Sequence, residues 1–190
     1  MPLVHRLLRA VPLALACAAA RADAADAQVP AITPFSAEVR GGIALPADDF
    51  EDAADGGVAG EVSLGWQALP LVGFYAAYEW SRFDWSDTGG DATDQGFAAG
   101  VRIALPTPFI PIDPWIRAGV VAHGLEAETL SEDAKRGWEA GAGLSFPLGR
   151  RVTLTPGVIW TQYQHGSGNA DGELLRVRHL RADVGLRLRP

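Results

Sequence analysis

The sequence predicts an all-β protein, an eight-stranded antiparallel up-and-down transmembrane β-barrel. Three observations lead to this fold. Segments of about ten residues alternate between apolar and polar side chains, which is the period of strands whose two faces meet different environments. Long, acidic, glycine-rich connections take turns with short, proline-containing ones. The N-terminal residues have the pattern of an export signal.

The connections between the segments give the number of strands. Three short connections centre on proline, and four long ones are rich in acids and glycine. The short ones lie at residues 68–70, 106–111 and 147–150, and the long ones at 46–57, 86–94, 127–135 and 165–173. Seven connections imply eight strands, with short periplasmic turns and longer outside loops, and eight strands leave an interior that side chains can fill.

Residues 1–24 are predicted to be a cleaved signal peptide, which leaves residues 25–190 as one outer-membrane barrel domain. The segment has a positive start, an apolar core and a small-x-small cleavage site. These features are Arg6 with Arg9, residues 11–20, and Ala22 with Ala24.

The mature chain is acidic and has no cysteine. The whole chain has a formal net charge of −7, and without residues 1–24 it keeps 13 basic and 22 acidic residues, a charge of −9. This balance argues against a nucleic acid partner and against polybasic attachment to anionic lipid. Cys17 is the only cysteine, so no disulfide or cysteine-based metal site is expected. Lipidation at Cys17 and a short amphipathic N-terminal helix are the alternatives to a cleaved signal.

All eight predicted strands carry one apolar face. In the first strand, Phe35, Val39 and Ile43 share that face, while Glu38 and Arg40 lie on the other. Periodicity alone does not decide which face points inward. The apolar face is predicted to meet lipid, because the polar face is small and glycine-rich, the chain is exported, and aromatic residues near strand ends fit interfacial girdles. These aromatic residues are Phe35, Trp66, Trp80, Phe97, Trp138, Phe146 and Trp160.

Pro156 is a misfit within the seventh predicted strand. Proline cannot donate a backbone hydrogen bond to a neighbouring strand. The sequence therefore predicts a bulge or a bend at this position.

The polar face carries as many acids as bases. An unpaired buried charge costs several kcal/mol, so a balanced set in a narrow lumen predicts a network of charge-assisted hydrogen bonds that fills the barrel. An ion pathway or a catalytic group is the alternative. His123 and His179 lie on the same face. The ten predicted members are Glu38, Arg40, Glu61, Glu79, Arg102, Arg117, Glu139, Arg181, Asp183 and Arg187.

Motifs that recur across many small barrels occur at residues 137–144, 147–149, 152–158 and 180–188. On these motifs, the mature chain resembles the small outer-membrane β-barrels typified by OmpX and the transmembrane domain of OmpA. The resemblance implies contact with outer-membrane lipid and lipopolysaccharide, and insertion by the barrel-assembly machinery through the C-terminal strand. Asp183, Gly185 and Leu188 match the assembly signal of that family, whereas Pro190 stands where the last residue is usually aromatic.

One group of residues has the types that hydrolysis needs. His165, Ser167 and Glu173 could act as base, nucleophile and orienting acid. They resemble the site of the outer-membrane lipid A deacylases, in which asparagine directly follows the serine, but here Gly168 intervenes. We expect a polar, glycine-rich outside loop instead.

No metal site or cofactor is expected. The four histidines are scattered, and the acids of the first long connection lack the spacing of a calcium loop. A solvated acidic loop is the better interpretation of those acids. They are Asp48, Asp49, Glu51, Asp52 and Asp55.

The function predicted is that of a non-enzymatic integral outer-membrane barrel with a plugged interior, which stabilises the envelope or presents its loops to an unidentified outside partner. Three alternatives remain. They are a lipid A deacylase that uses His165 and Ser167, a narrow OmpW-like channel for small solutes, and a soluble periplasmic barrel with its apolar face inside.

Overall fold

The structure is a computed structural model that describes residues 34–51, 54–84, 91–107, 112–127, 130–131, 134–168 and 174–190. The predicted signal segment lies outside these residues. The strands are β1 (Phe35–Pro46), β2 (Gly57–Gln67), β3 (Val72–Asp84), β4 (Asp91–Ala104), β5 (Asp113–Ala127), β6 (Leu130–Ser131), β7 (Lys135–Pro147), β8 (Val152–Gly168) and β9 (Leu174–Leu188). One turn of 3₁₀ helix (Asp48–Phe50) follows β1.

The eight long strands close into one antiparallel barrel. Each pairs with its neighbours along the chain, and β1 pairs with β9 to complete the circle. The two-residue strand β6 only extends the outer end of β5. The predicted eight-stranded up-and-down barrel is thus confirmed. None of the helical structure in the described part of the chain has the length and apolar character to cross a lipid bilayer.

The strands reach further toward the long connections than the sequence pattern predicted. β4 begins at Asp91, inside the predicted connection 86–94, and β8 and β9 together leave only residues 169–173 between them. The reason is that backbone pairing continues where the alternation of side chains has faded. At this end Gln164 pairs with Arg176, and a register shift between His165 and Gly168 marks the limit of regular pairing.

The apolar faces of the strands point outward, as predicted. Val62, Val120 and Val184 are 54%, 67% and 48% exposed, although they lie in the middle of their strands. The alternating residues Glu61 and Arg181 point inward and are buried. An apolar wall of this extent around a polar centre is the arrangement expected when hydrocarbon is the solvent.

The prediction of a bulge at Pro156 is wrong. The β7–β8 pairing runs to Gly143 with Gly157 and resumes in the same register at Phe146 with Leu154. On the other side, Pro156 pairs in continuous register with Val184 of β9. Proline has no backbone N–H to donate, and the pairing of β7 with β8 has a local gap at this position. Next to the gap, the Trp115 indole donates to the Leu144 carbonyl at 3.1 Å.

An apolar cluster fills the barrel mouth at the end with the long connections. Phe50, from the 3₁₀ helix, is fully buried and meets Phe83 edge to face at a ring-centroid distance of 5.1 Å. The first long connection is therefore not simply a solvated acidic loop, because it folds into the mouth even though Asp48 remains exposed. The cluster consists of Ala44, Phe50, Ala54, Ala59, Phe83, Ala92, Leu125, Tyr163 and Val177.

We predict that Val120→Arg costs about 2–4 kcal/mol of unfolding free energy in lipid vesicles, because the charge would lie near the bilayer midplane. Val58→Arg, at the outer end of β2, is the matched control and should cost only about 0–1 kcal/mol. Urea titration of the vesicle-inserted protein measures both. Equal costs at the two positions would contradict a lipid-facing wall.

Candidate functional site

The structure brings the ten predicted interior charges together inside the barrel. Eight of them are buried, and Arg102 and Arg187, at the end with the short turns, are partly accessible. They form one connected chain of ion pairs that runs along the barrel axis.

Glu38 organises the short-turn end of this chain. Arg187 donates to its carboxylate from Nε at 2.8 Å and from Nη2 at 2.6 Å, and Arg102 donates from Nη1 at 3.1 Å. Arg40 and the Thr155 hydroxyl also donate to it, the latter at 2.6 Å. One carboxylate therefore gathers side chains from β1, β4, β8 and β9.

Asp183 links this end to the barrel centre. Arg40 donates to it from Nε at 3.0 Å and also from Nη2. Arg181 donates from Nε at 2.9 Å to the other oxygen. Both guanidiniums are nearly inaccessible, so the shared carboxylate offsets part of the cost of burying two positive charges.

Arg117 occupies the centre and contacts three carboxylates. Its Nη1 donates to both oxygens of Glu61 at 3.0 Å, and its Nη2 donates to Glu79 at 2.8 Å and to Glu139 at 2.9 Å. Arg181 also donates to Glu61 and Glu79. Two arginines thus bridge three acids here, and these five side chains come from five strands.

A histidine–aspartate group continues the chain outward, and it joins the two predicted inward histidines to Asp94, which the sequence analysis missed. Asp94 lies 3.1 Å from His123 Nδ1, accepts from the Tyr163 hydroxyl at 3.0 Å, and has His179 Nδ1 at 3.7 Å. His123 Nε2 lies 3.3 Å from Glu79, which connects this group to the centre. Asp94 was assigned to a loop, although its even number places it on the inward face with Gly96 and Arg102.

Inward glycines make room for two aromatic rings that pack against the arginines. The Trp115 ring lies 4.1 Å from the Arg102 guanidinium carbon, within cation–π range. A Cβ on Gly143 or Gly157 would come within 2.4 or 2.5 Å of this ring, and one on Gly119 within 2.4 Å of the Tyr75 hydroxyl. The glycine-rich pattern of the polar face is therefore a packing requirement.

The arrangement is suited to sealing the lumen. Each of the five acids predicted for the network accepts from at least one arginine, so none stands free as a base or nucleophile. Within the described ranges no group of three or more histidine, cysteine or acidic residues could hold a metal ion. All eight long strands contribute a side chain to the hydrogen-bonded chain, which ties the wall together across its axis.

The structure changes the description of the catalytic candidates. His165 and Ser167 lie within β8 and not in the loop that follows it, because the strand runs to Gly168. Their side chains and Glu173 lie outside what the structure describes, so their proposed cooperation stays untested.

We predict that Arg117→Ala lowers the unfolding free energy by about 3–5 kcal/mol, because three buried carboxylates lose their shared partner. Arg82→Ala is the control, since Arg82 is bonded to Asp91 in an exposed pair at the outer rim. Urea unfolding in lipid vesicles should leave the midpoint of that control near the wild-type value. Equal midpoints for the two variants would show that the interior network is not required for stability.

We also predict that Ser167→Ala and His165→Ala leave the lipid A acyl chains of the producing cell unchanged relative to wild type. The reason is the glycine-rich sequence around the pair, since glycine offers no side chain that could pack against a nucleophile and a base and preorganise them. Mass spectrometry of extracted lipid A measures this. A difference between cells with the wild-type protein and cells with either variant would support hydrolysis.

Comparison with known proteins supports the fold at low sequence identity. No protein-family model matches the sequence, and no curated protein does. Among solved structures, Neisserial surface protein A is 15% identical, with a TM-score of 0.67, over 83% of this chain and 98% of that one. The outer membrane protein OprG from Pseudomonas aeruginosa is 9% identical, with a TM-score of 0.54, over 86% of this chain and 100% of that one. The chain therefore has the fold of the small outer-membrane β-barrels.

Proposed function

We propose that this protein is a non-enzymatic, integral outer-membrane barrel that is sealed along its axis and acts through its outer surface, as a structural or surface-interaction component of the envelope. The observation that carries this proposal is the filled lumen. The ion chain from Arg187 to Asp94 occupies the axis, and the apolar cluster around Phe50 and Phe83 closes the outer mouth.

Three independent features support the membrane location. All eight long strands expose large apolar side chains, the N-terminal sequence has the pattern of an export signal, and the solved proteins of the same fold named above include an outer membrane protein. A water-soluble barrel would place Val62 and Val184 in contact with solvent, at a cost that scales with the exposed apolar area.

The contents of the lumen argue against transport and catalysis. A conducting path would have to break charge-assisted hydrogen bonds at Glu38, Asp183 and Glu61 in turn, and each broken pair would leave a buried charge without a partner. The same pairing leaves the interior acids without the freedom that a general base requires.

The protein is predicted to show no stable open state in planar lipid bilayers, because the lumen is occupied from end to end. Single-channel recording measures this, with a general porin as the positive control. A reproducible, long-lived conductance at neutral pH would contradict the sealed lumen.

Envelope fractionation tests the location. The protein should be found with outer-membrane markers, should need detergent for extraction, and should migrate differently in gels before and after boiling. Material that stays monodisperse in buffer without detergent would contradict an integral membrane location.

A further inference from the structure

One side of the barrel wall carries a groove that no function above uses. The groove has a volume of about 560 Å³ and crosses β1, β9, β8 and β7 on the outward surface. It exists because small residues occur at neighbouring outward positions of these four strands. The residues concerned are Gly41, Ala182, Pro156 and Ala142, with Ile43 and Val184 as larger neighbours. An apolar depression of this kind fits an alkyl chain.

A row of cationic and amide side chains lies on the same wall, further toward the long connections. Gln164 of β8 pairs with Arg176 of β9. Arg136 precedes Gly137, which pairs with Tyr163, so the register of β7 with β8 brings Arg136 to the other side of Gln164. Arg136 and Arg176 are exposed, and neither forms an ion pair with any other described part of the chain.

The next row of side chains toward the groove lies at the level where lipid headgroups meet the hydrocarbon core. It holds Trp138, Gln162 and Arg178, which lie side by side in the register of β7, β8 and β9. Arg178 is bonded to Asp48 at 2.6 Å, so it is already partly neutralised. Tryptophan below a row of cations is the order expected at a membrane interface.

The spacing between the row and the groove matches one lipid leaflet. Arg176 and Ala182 are six residues apart on β9, which is about 20 Å along a strand at about 3.3 Å per residue. With a strand tilt of about 40° this is about 15 Å of depth, or half of a hydrocarbon core of about 30 Å. A lipid with its headgroup at Arg176 would therefore place the ends of its acyl chains at the groove.

We infer that this wall binds a phosphorylated glycolipid of the outer leaflet, of the lipid A class, with a phosphate on Arg136 and Arg176 and one acyl chain in the groove. Guanidinium groups bind phosphate with two parallel hydrogen bonds, and Gln164 between them offers a donor and an acceptor to sugar hydroxyls. The inference rests on the proposed function, because it needs a barrel inserted with its long connections outward.

The described residues of the opposite wall do not have this combination. Among them the outward arginine at the rim is Arg82 of β3, and the Asp91 carboxylate neutralises it. The described residues thus leave unpaired outward arginines at the outer rim on the β7–β9 side, above the groove. The unpaired arginines and the groove therefore lie on the same side of the barrel.

The test measures lipid binding by the full-length protein purified from membranes and inserted into phosphatidylcholine vesicles. The probes are bisphosphorylated lipid A, its dephosphorylated form and phosphatidylglycerol, titrated and quantified by native mass spectrometry. We expect the wild type to bind phosphorylated lipid A about tenfold more tightly than the dephosphorylated form, and more tightly than phosphatidylglycerol. The double variant Arg136→Gln/Arg176→Gln should lose this preference.

Matched variants separate the two parts of the site. Gly41→Leu should weaken binding of both lipid A forms, because a Cβ on Gly41 meets no atom within 4 Å and the side chain would fill the groove without disturbing the wall. Ala99→Leu on β4 and Arg82→Gln on β3 are the controls on the far side and should behave as wild type.

Each contrary result overturns one part of the proposed lipid site. An unchanged phosphate preference in the double variant overturns the basic row as the phosphate site, and equal binding of phosphatidylglycerol overturns the choice of a glycolipid. Unchanged binding by Gly41→Leu overturns the groove as the acyl site. If the wild type does not float with the vesicles, the proposed membrane function fails instead, so the two failures are distinguishable.

Discussion

The structure depends on the requirement that charges inside a narrow, closed barrel find partners within it. Arg117 and Arg181 are held by carboxylates from three other strands, and at most 4% of either side chain is accessible to solvent that could screen its charge. Such ion pairs contribute little net stability compared with apolar packing, but removing one partner is costly. The network therefore acts mainly on specificity, since a slip of any strand by one residue would turn its charges toward lipid.

This requirement explains both what the lumen contains and what it lacks. Glycine is needed beside Trp115 and Tyr75 because the rings and guanidiniums together leave no space for a further Cβ. Near the outer mouth the inward positions become apolar. Phe50 enters from the first long connection and covers Phe83, and the Phe83 ring in turn packs against the ring of His179. The described interior is thus filled in two ways, by ion pairs in the middle and by hydrophobic side chains at one end.

A sealed axis moves the question of function to the outer surface. That surface is not uniform, because Arg82 is neutralised by Asp91 on one side, whereas Arg136 and Arg176 stand without described partners on the other. A wall that differs around its circumference can order the lipids beside it. The proposed structural role in the envelope and the proposed lipid contact are therefore compatible, and both depend on outward side chains and not on the lumen.

The sequence by itself determined the class of fold and most of the interior. Strict alternation placed Glu38 and Arg40 on one face and Val39 on the other, because a strand turns successive side chains to opposite faces. The small, glycine-rich polar face and the export pattern then assigned the charged face to the lumen. The sequence also indicates the inward position of Asp94, because alternation along β4 puts this residue on the inward face. The acidic residues before it, however, favoured a loop at this position.

Only the tertiary structure decided which charges meet and how the mouth is closed. Arg40 and Asp183 are 143 positions apart, and their contact follows from closure of β1 onto β9. The burial of Phe50, the register at Pro156 and the position of Arg136 and Arg176 on either side of Gln164 likewise depend on how strands pair around a closed circle. Periodicity defines the face of each residue within its own strand, but it contains no information on the height at which neighbouring strands are paired.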